Sequence, residues 1–354
     1  MPILMLLAEK ITYLKDLLKP FSPPEPEIYE SPIEGYRMRC EFRIWHEGDF
    51  AYYTMFDEQK RPQFINHFPI AHHHIQNLMQ PLLKALCAED ILRHRLFQID
   101  FHTTTLGDTL VTLIYHKVLC SEWEKHITTI AQSFKISVIG RSRKQKIVLE
   151  KDFVQEQFQI SAQTFTYRQY ENSFSQPNAF ICEKMLNWAV QYAPNRHRDL
   201  LELYCGNGNF TLPLSRYYPR VLATEISKSG IKALDENIQA NAIENIQVAR
   251  LSAEEFTQAF YGERVFNRLQ LANIHLSDYD FGTVLVDPPR AGIDDNTLQL
   301  LKNFDAIIYI SCNPTTLAEN LKALYPEYRI TQVALFDQFP QTNHIECGVI
   351  LEKY

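Results

Sequence analysis

The sequence of 354 residues lacks the features that mark membrane or exported proteins. No apolar run approaches the roughly 20 residues that a membrane-spanning helix needs. The short apolar run over residues 2–8 has no basic segment before it and is followed by Glu9, so it predicts the start of an amphipathic helix rather than a signal peptide. These absences favour a cytoplasmic protein without a membrane partner.

The cysteines lack any pattern typical of a disulfide or metal protein. They are scattered, odd in number and never form a CxxC pair: Cys40, Cys87, Cys120, Cys182, Cys205, Cys312 and Cys347. The triple histidine at residues 72–74 does not change this interpretation, because consecutive residues on a helix point about 100° apart and are not expected to converge on one ion. We therefore predict no metal and no iron–sulfur cluster, and a solvated helix start at the histidines.

An overall positive charge, typical of nucleic-acid-binding proteins, is also missing, since the formal net charge is −7. Residues 1–170 contain 20 Lys+Arg and 20 Asp+Glu, whereas residues 171–354 contain 15 and 22, so the deficit lies in the second half. The first half holds a dense basic cluster, Arg141 to Lys146, where RNA phosphates would be bound. Taken alone, a run of four basic residues is more often a solvated edge.

The first 35 residues predict a helix and a linker. Apolar side chains recur at helical spacing over residues 3–19, and the helix ends at Pro20 before the proline-rich residues 22–26. From residue 36 to about 149, alternating strands predict hairpins that turn at residues 47–49 and 106–108, with a helix from His72 to Leu92 between them.

Residues 36–170 are therefore predicted to form an α+β domain without a glycine-rich phosphate loop. Aromatic and basic side chains are interleaved on its strands, and Arg43, Phe97 and His116 are the candidates for RNA contact. This mixture suits RNA, because splayed bases stack on aromatic faces while Arg and Lys hold phosphates. Single aromatic residues on strands are nevertheless more often part of a core.

A polar segment over residues 155–175 is predicted to lead into a second domain, residues 171–354. There the strand candidates are separated by helical stretches, which predicts a mainly parallel sheet of α/β type. Only a short stretch joins the last two strand candidates, ITQVALF and CGVILEK, so we predict an antiparallel hairpin at one edge of that sheet.

The stretch from Leu200 to Phe210 predicts a buried strand that runs into Gly206-x-Gly208 and a helix, where the backbone can approach a ligand. The third glycine of the dinucleotide fingerprint is absent, and Glu202 would repel a pyrophosphate and favour a cationic ligand. Glu225 ends the next strand, where it would accept hydrogen bonds from ribose hydroxyls. The pattern favours S-adenosylmethionine over NAD, with a structural turn as the alternative.

Two further strand ends carry chemistry. Asp287-Pro288-Pro289-Arg290 forms a stiff loop that can pack against a flat base, and it differs from the NPPY type used on exocyclic amines. The strand from Ala306 delivers Cys312 to its carboxyl end, where open α/β sheets bind ligands. We predict a nucleophile whose thiolate is favoured by the helix after Pro314, although an isolated cysteine at a strand end is more often structural.

Five spaced motifs carry a resemblance over nearly the whole chain: FSQPN at 174–178, LELYCGNGNF at 201–210, DPPR at 287–290, SCNP at 311–314 and HIECG at 344–348. With YRMRxEFRIWH and LFQID in the first half, the chain resembles the RNA 5-methyluridine methyltransferases, in particular the branch that modifies uridine 54 in the T loop of tRNA. Ribosomal-RNA members usually carry an oligonucleotide-binding barrel and an iron–sulfur cysteine cluster, and this sequence has neither.

The resemblance implies a Rossmann-like class I methyltransferase domain preceded by the α+β RNA-binding domain. It implies that S-adenosylmethionine is held by five residues: Gln176, Tyr204, Asn209, Glu225 and Asp287. Cys312 would be the nucleophile and Glu346 the general base, with Cys347 on the opposite face of the strand as a core residue. Phe174, Asn178 and Arg290 would lie near the flipped nucleotide.

The expected partner is tRNA through its T arm, bound by a monomer. Three alternatives stay open: the same chemistry on ribosomal or other T-loop-like RNA, methylation of cytosine C5, and a tRNA-folding factor with secondary catalytic activity. The cytosine alternative is disfavoured, because no additional Pro-Cys or Thr-Cys signature is present.

Overall fold

A computed structural model of the chain describes residues 5–48, 50–57 and 59–354. The helices are α1 Leu7–Leu18, α2 His73–Ala88, α3 Asp90–Arg93, α4 Ser121–Phe134, α5 Ala179–Gln191, α6 Thr211–Leu214, α7 Lys228–Ala240, α8 Ala253–Phe260, α9 Asn267–Leu271, α10 Asp295–Leu301 and α11 Pro314–Leu324. Within the described ranges, no helix combines the length and the apolar character needed to cross a bilayer.

Seventeen strands form between these helices in the described part of the chain: β1 Glu27–Tyr29, β2 Arg39–Glu47, β3 Phe50–Phe56, β4 Pro62–Phe64, β5 Leu96–Thr103, β6 Thr109–Tyr115, β7 Ser137–Ser142, β8 Gln145–Leu149, β9 Phe153–Ile160, β10 Gln163–Tyr170, β11 Asp199–Leu203, β12 Val221–Thr224, β13 Ile246–Ala249, β14 Phe281–Val286, β15 Ala306–Ser311, β16 Tyr328–Phe336 and β17 Glu346–Lys353.

The second half of the chain builds an eight-stranded sheet in the order β1-β16-β17-β15-β14-β11-β12-β13. Strands β11 to β15 pair in parallel, because a connection with a helix separates each from the next, while β17 is antiparallel to both of its neighbours. The predicted α/β class with a mainly parallel sheet is confirmed. Helices cover both faces, so the parallel strands are buried almost throughout.

The prediction that the last two strands form an edge hairpin is wrong in one respect. β16 and β17 do pair in antiparallel fashion, but β1 pairs in parallel with β16 and takes the edge position, with Ile28 opposite Leu335. The segment predicted as a proline-rich linker thus contributes a strand to the second-half sheet. Leu14 and Leu18 of α1 are buried in the same core, so the N-terminal residues pack with the C-terminal half.

Lys10 of α1 fixes the loop between β16 and β17. Its side chain is fully buried, and Nζ donates to Asp337 Oδ1 at 2.8 Å and to the carbonyl of Phe339 at 2.7 Å. Asp337 is itself 4% exposed, and its backbone N–H donates to the carbonyl of Tyr29 at the end of β1. A buried lysine is tolerated here because each of its neighbours is an oxygen acceptor.

Replacing Lys10 with methionine is expected to lower the free energy of unfolding by about 3–5 kcal/mol, because it leaves the Asp337 carboxylate buried without its partner. Urea denaturation followed by fluorescence measures this loss. The double variant Lys10→Met/Asp337→Leu should recover part of the stability, and Lys15→Met, at an exposed pair with Glu25, should change it little. Equal midpoints for Lys10→Met and Lys15→Met would contradict the anchoring role of Lys10.

The first half of the chain forms a seven-stranded sheet in the order β4-β3-β2-β5-β6-β7-β8. Helices α2 and α4 cover one face of it through buried residues such as Leu82 and Trp123. The predicted hairpins β2–β3 and β5–β6 are confirmed by their antiparallel pairing; Asp49, in the first predicted turn, lies outside the described residues. The opposite face presents Arg43 and its neighbours on alternate positions of β2, which are exposed.

The prediction of a polar connecting segment over residues 155–175 is wrong, because β9 and β10 pair as a two-stranded antiparallel hairpin there. The hairpin packs on α7, where the side chains of Asn237 and Asn241 accept hydrogen bonds from the backbone of Arg168 and Thr166 at 2.7 and 2.8 Å. Its polar outer positions resemble those of a linker, but alternate residues such as Phe158 and Phe165 are buried.

Candidate active site

A cavity of about 270 Å³ opens at the carboxyl ends of β11 and β12. The chain leaves β11 through Tyr204, Gly206 and Gly208, all with positive φ, which bends the backbone sharply around the ligand space. A Cβ at Gly208 would lie 2.3 Å from the end of the Leu234 side chain of α7, which would have to move. Glycine is favoured at this position chiefly by its positive φ of 87°.

The five residues predicted to hold the methyl donor all line this cavity: Gln176, Tyr204, Asn209, Glu225 and Asp287. Glu225 is oriented by the backbone, since its carboxylate accepts from the N–H groups of Gly206 at 3.0 Å and Ser227 at 2.7 Å. Phe174, predicted near the nucleotide, lines the rim and is 73% exposed.

The cavity holds carboxyl groups in a buried setting. Glu202 is 1% exposed, and its Oε2 is buried without a hydrogen-bond partner among the described residues. Burial raises the pKa of Glu202 to about 8, and burial likewise raises the pKa of Asp287. Such carboxyl groups favour a ligand that brings a positive charge with it, which is the property of a sulfonium methyl donor.

Gln176 and Asn178 connect the cavity to the β16–β17 loop. Gln338 Nε2 donates to Gln176 Oε1 at 2.6 Å, and the carbonyl of Gln338 accepts from Asn178 Nδ2 at 3.2 Å. Asn178 is fully buried, caps α5 at Ile181 and donates to Ser31 Oγ at 2.7 Å. The expected contact between Asn178 and the nucleotide is therefore not what the structure favours; its side chain supports the loops behind the cavity.

Cys312 and Glu346 lie at the carboxyl end of β15 and the start of β17. Ser311 pairs with Cys347 across these antiparallel strands, and Cys312 and Glu346 adjoin that pair at the ends of their strands. The Glu346 carboxyl lies close enough to the Cys312 thiol to act on it electrostatically. Glu346 is 6% exposed and Cys312 is half-buried, while Cys347 packs in the core on the other face, as predicted.

The surroundings of Cys312 oppose the expected effect of the helix after Pro314 on its thiolate. Burial, Glu346 and Asp287 together raise the pKa of Cys312, and the positive charge of Arg290 only partly opposes them. Burial and Asp287 also raise the pKa of Glu346 well above its usual range, again against Arg290. Burial and the neighbouring acids thus disfavour the charged forms of both side chains, and Arg290 favours them.

Asn313 holds the Cys312 loop against the Asp287–Arg290 loop. Its Nδ2 donates to the carbonyl of Arg290 at 3.1 Å, and its Oδ1 accepts from Thr315 N at 3.2 Å and so caps α11. The Ser311 hydroxyl accepts from Asn313 N at 3.1 Å. The two loops predicted to carry chemistry are therefore joined, with Arg290 exposed at their outer side.

The three predicted RNA contacts form one stack on the first-half sheet. The Arg43 guanidinium lies 4.0 Å from the centroid of the Phe97 ring, and the Phe97 and His116 rings are stacked with centroids 4.0 Å apart. Arg43 and His116 are exposed, and Phe97 is partly exposed. Between this sheet and the cavity runs a groove lined by Arg37, Arg39, Met55, Phe174 and Phe339, among others.

The basic cluster at residues 141–146 is only partly available for phosphates. Arg141 forms a bidentate pair with Glu171 at 2.5 Å, and Lys146 pairs with Asp152 at 2.7 Å. Arg143 and Lys144 lie on the exposed turn between β7 and β8 and form no ion pair with any described residue. Of the four basic residues in the predicted cluster, Arg141 and Lys146 therefore pair with carboxylates, and only the other two form no ion pair with a described residue.

Comparison with known proteins identifies the family. The model of the tRNA (Uracil-5-)-methyltransferase family matches residues 4–354. The chain belongs to this family. A tRNA/tmRNA (uracil-C(5))-methyltransferase of Acinetobacter baumannii is 55% identical over 352 residues, or 98% of each chain. One of Vibrio cholerae is 49% identical over 353 residues, or 98% of this chain and 96% of the relative.

Membership in this family confirms the predicted resemblance and the predicted enzyme class, a tRNA (uracil-5)-methyltransferase. Among solved structures, the tRNA (uracil-54, C5)-methyltransferase of Pyrococcus abyssi in complex with S-adenosyl-L-homocysteine shares the fold with a TM-score of 0.74. Its sequence identity is 21%, and the match covers 98% of this chain and 82% of the other. The predicted Rossmann-like methyltransferase fold is thereby confirmed.

Several residues of this family member were not found from the sequence. Gln338, which binds Gln176, follows an apolar strand and carries no recognisable motif. Tyr167 of β10 donates from its hydroxyl to the Asn209 carbonyl at 3.0 Å, and Gln169 lines the cavity. The alternation of buried and exposed positions in β9 and β10 was the one signal that could have located them.

Proposed function

We propose that the chain transfers a methyl group from S-adenosylmethionine to C5 of uridine 54 in the T loop of tRNA, through a covalent bond between Cys312 and C6 of the base. The observation that supports this most strongly is that Cys312 and Glu346 lie at adjoining strand ends, close enough for the Glu346 carboxyl to act on the Cys312 thiol. A nucleophile and a proton acceptor side by side suit a uracil ring that enters between them.

The chemistry needs both residues because C5 of uracil is too weak a nucleophile alone. The Cys312 sulfur adds to C6, and the electron pair of the C5–C6 double bond moves to C5 and O4 as an enolate. Bound S-adenosylmethionine supplies a methyl group on a positively charged sulfur. C5 attacks that methyl carbon, the S–CH3 bond breaks, and its electron pair leaves with neutral S-adenosylhomocysteine. The thiol proton must leave Cys312 before the sulfur attacks, and the Glu346 carboxyl must be ionised when the C5 proton is removed.

Glu346 then removes the proton that remains on C5. Loss of this proton re-forms the C5–C6 double bond and expels the Cys312 sulfur, which frees the methylated base. A carboxyl group with a raised pKa is a stronger base once ionised, so the buried position of Glu346 suits this step. Arg290, whose charge lowers the pKa of both residues, favours their ionised forms.

Gln176, Tyr204, Asn209, Glu225 and Asp287 are proposed to hold S-adenosylmethionine. Two features of the cavity fit this ligand: the unpaired Oε2 of Glu202, and the Glu225 carboxylate presented by two backbone N–H groups toward a ribose. The limits of the two domains, residues 36–170 and 171–354, remain part of the proposal. The N-terminal 35 residues would serve the second domain, on whose sheet they pack.

The affinity for the methyl donor should depend on pH in a way that reports the Glu202 charge. As the pH rises from about 6 to about 8.5, Glu202 loses its proton and attracts the sulfonium. We expect the affinity for S-adenosylmethionine to rise relative to the affinity for S-adenosylhomocysteine. The rise should be up to about tenfold for each unit by which the bound sulfonium lowers the pKa of Glu202. Calorimetric titration of both ligands measures the ratio. In Glu202→Gln the ratio of the two affinities should change little with pH, and an unchanged pH dependence in that variant would contradict the assignment.

The target base must leave its loop to reach Cys312. The stack of Arg43, Phe97 and His116 is proposed to pack against bases that neighbour the target base. Phe174 lies at the rim of the cavity, and Arg290 lies near Cys312 and Glu346. Arg143 and Lys144, free of ion pairs with described residues, would bind phosphates.

Replacing Phe97 with alanine should weaken tRNA binding by roughly 5- to 150-fold, because its ring holds Arg43 and His116 in the stack and one stacked base contributes about 1–3 kcal/mol. Filter binding to an unmodified tRNA transcript measures the loss, and affinity for S-adenosylmethionine should not change. Tyr261→Ala, at an exposed ring beyond α8, is the control and should bind tRNA normally. Equal affinities of the two variants would remove Phe97 from the RNA surface.

Labelled S-adenosylmethionine and unmodified tRNA transcripts test the proposed reaction. The transcript should accept one methyl group, mapped to uridine 54, and a transcript with cytidine at that position should accept none. Transfer to ribosomal RNA instead would favour the alternative substrate. Restored tRNA folding by a Cys312→Ala variant would support a second role as a folding factor.

A further inference from the structure

The three histidines at the start of α2 form a cluster that the proposed reaction does not use. One ring nitrogen of each lies within 4.8 Å of those of the other two. The ring centroids are 4.1 Å apart for His72 and His73, 4.0 Å for His73 and His74, and 5.0 Å for His72 and His74. Three imidazoles thus share one small space without a carboxylate among them.

The prediction that consecutive histidines cannot converge is wrong here. His72 is not helical: it precedes α2 with φ −57° and ψ 147°, and only His73 and His74 have helical backbone. This change of backbone direction turns the first ring back over the other two, so the separation of about 100° between helical neighbours does not apply to it. The expected solvated helix start is also wrong for His72, which is 4% exposed.

His72 provides a second, independent sign of a ligand. Its Nδ1 is buried and has no hydrogen-bond partner among the described residues. A buried polar nitrogen without a partner is rare in folded proteins and is commonly explained by a water or an ion. His73 is exposed, so its ring is free to turn toward a shared ion, and the partly exposed His74 ring lies beside it.

The surroundings hold the cluster in place. A Cβ on Gly107, in the β5–β6 turn, would lie 2.9 Å from the His74 ring, so that turn forms a close wall. Phe180 of α5 lies on another side, with its ring centroid 6.3 Å from that of His72. The backbone N–H of His72 donates to the carbonyl of Arg37 at 2.8 Å, which fixes the first ligand.

We propose that His72, His73 and His74 bind one divalent transition-metal ion, with Zn²⁺ as the ion and water in the remaining position. Neutral imidazole is a preferred ligand of zinc, and three histidines with one water form a known zinc ligand set. Zinc–nitrogen bonds of about 2.0–2.1 Å require the three nitrogens to approach to roughly 3.3 Å. Rotation of the exposed His73 ring, with a smaller adjustment of the partly exposed His74 ring, supplies that movement, while the buried His72 ring remains fixed.

Zinc titration of the full chain, after removal of any affinity tag and treatment with a chelator, tests the site. In competition with a chromogenic chelator, the protein should bind one equivalent of Zn²⁺. The double variant His73→Gln/His74→Gln should bind more than about tenfold more weakly with an unchanged melting temperature in the absence of metal, because even outer-shell partners contribute that much. The pair avoids the buried His72, whose loss can affect folding.

The matched control is His67→Gln/His94→Gln, which removes two exposed histidines elsewhere and should bind Zn²⁺ like the parent protein. Cobalt(II) is the spectroscopic probe: it should give visible bands without the near-ultraviolet charge-transfer band of a thiolate ligand. The absence of zinc binding, equal affinity of both double variants, or a thiolate band for the bound cobalt would each overturn the site.

Discussion

Replacing Cys312 with alanine is expected to lower methyl transfer to tRNA by roughly 10⁴-fold or more, the range seen when a covalent nucleophile is removed. Without the sulfur, C5 keeps the low nucleophilicity of free uracil, and the bound methyl donor cannot be used. The variant should still bind S-adenosylmethionine, because Cys312 does not line the donor cavity. A methyl-transfer assay and calorimetric titration separate the two properties.

Cys347→Ala is the matched control for this prediction. Cys347 is the neighbour of Glu346 in sequence but packs in the core on the other face of β17. It should lower stability without removing activity, so any loss of turnover should disappear when assays are corrected for folded protein. Normal transfer by Cys312→Ala would refute the covalent route, whatever the behaviour of the control.

Replacing Glu346 with glutamine is expected to reduce turnover by about 10²- to 10⁴-fold and to leave the RNA attached to the protein. The methyl group is already on C5 at this point, so the missing step is removal of the C5 proton and the intermediate cannot eliminate its sulfur. Denaturing gel electrophoresis should show a slow-migrating species whose formation needs both S-adenosylmethionine and tRNA.

Glu352→Gln, near the other end of β17, provides the comparison. Glu352 lies close to Arg329 near the surface, and its loss should leave turnover unchanged with no attached RNA. Normal turnover by Glu346→Gln, or slow turnover without the attached species, would exclude Glu346 as the base for the C5 proton. The same gel with Cys312→Ala/Glu346→Gln should show no attached species.

The sequence predicted the regular part of the fold well because strand and helix patterns alternate with clear boundaries. The parallel sheet and the β5–β6 hairpin follow from hydrophobic runs and turn residues that act locally. The edge position of β1 could not be predicted in this way. Its three residues lie in a proline-rich segment without a periodic signal, and they pair with a strand some 300 residues away. The β9–β10 hairpin was missed because its exposed positions are polar.

The site residues were predicted from motifs, whereas their electrostatics required three dimensions. The helix after Cys312 was expected to favour its thiolate, but burial and Glu346, which the pairing of β15 with β17 brings near it, raise the pKa of the thiol. Asn178 belongs to the FSQPN motif, but its side chain forms hydrogen bonds with Ser31 and Gln338 that stabilise the loops behind the cavity. The three histidine rings converge, against the prediction, because His72 itself precedes the helix and does not have helical backbone geometry.

One measurement tests the central claim most directly: trapping with a T-arm RNA that carries 5-fluorouridine at position 54. Fluorine at C5 cannot be removed as a proton, so the methylated adduct should persist on the protein. After incubation with S-adenosylmethionine and digestion, mass spectrometry should find a methylated 5-fluorouridine from position 54 on the peptide that contains Cys312. An adduct on another cysteine or another nucleotide, or no adduct while methyl transfer to ordinary tRNA proceeds, would contradict the mechanism.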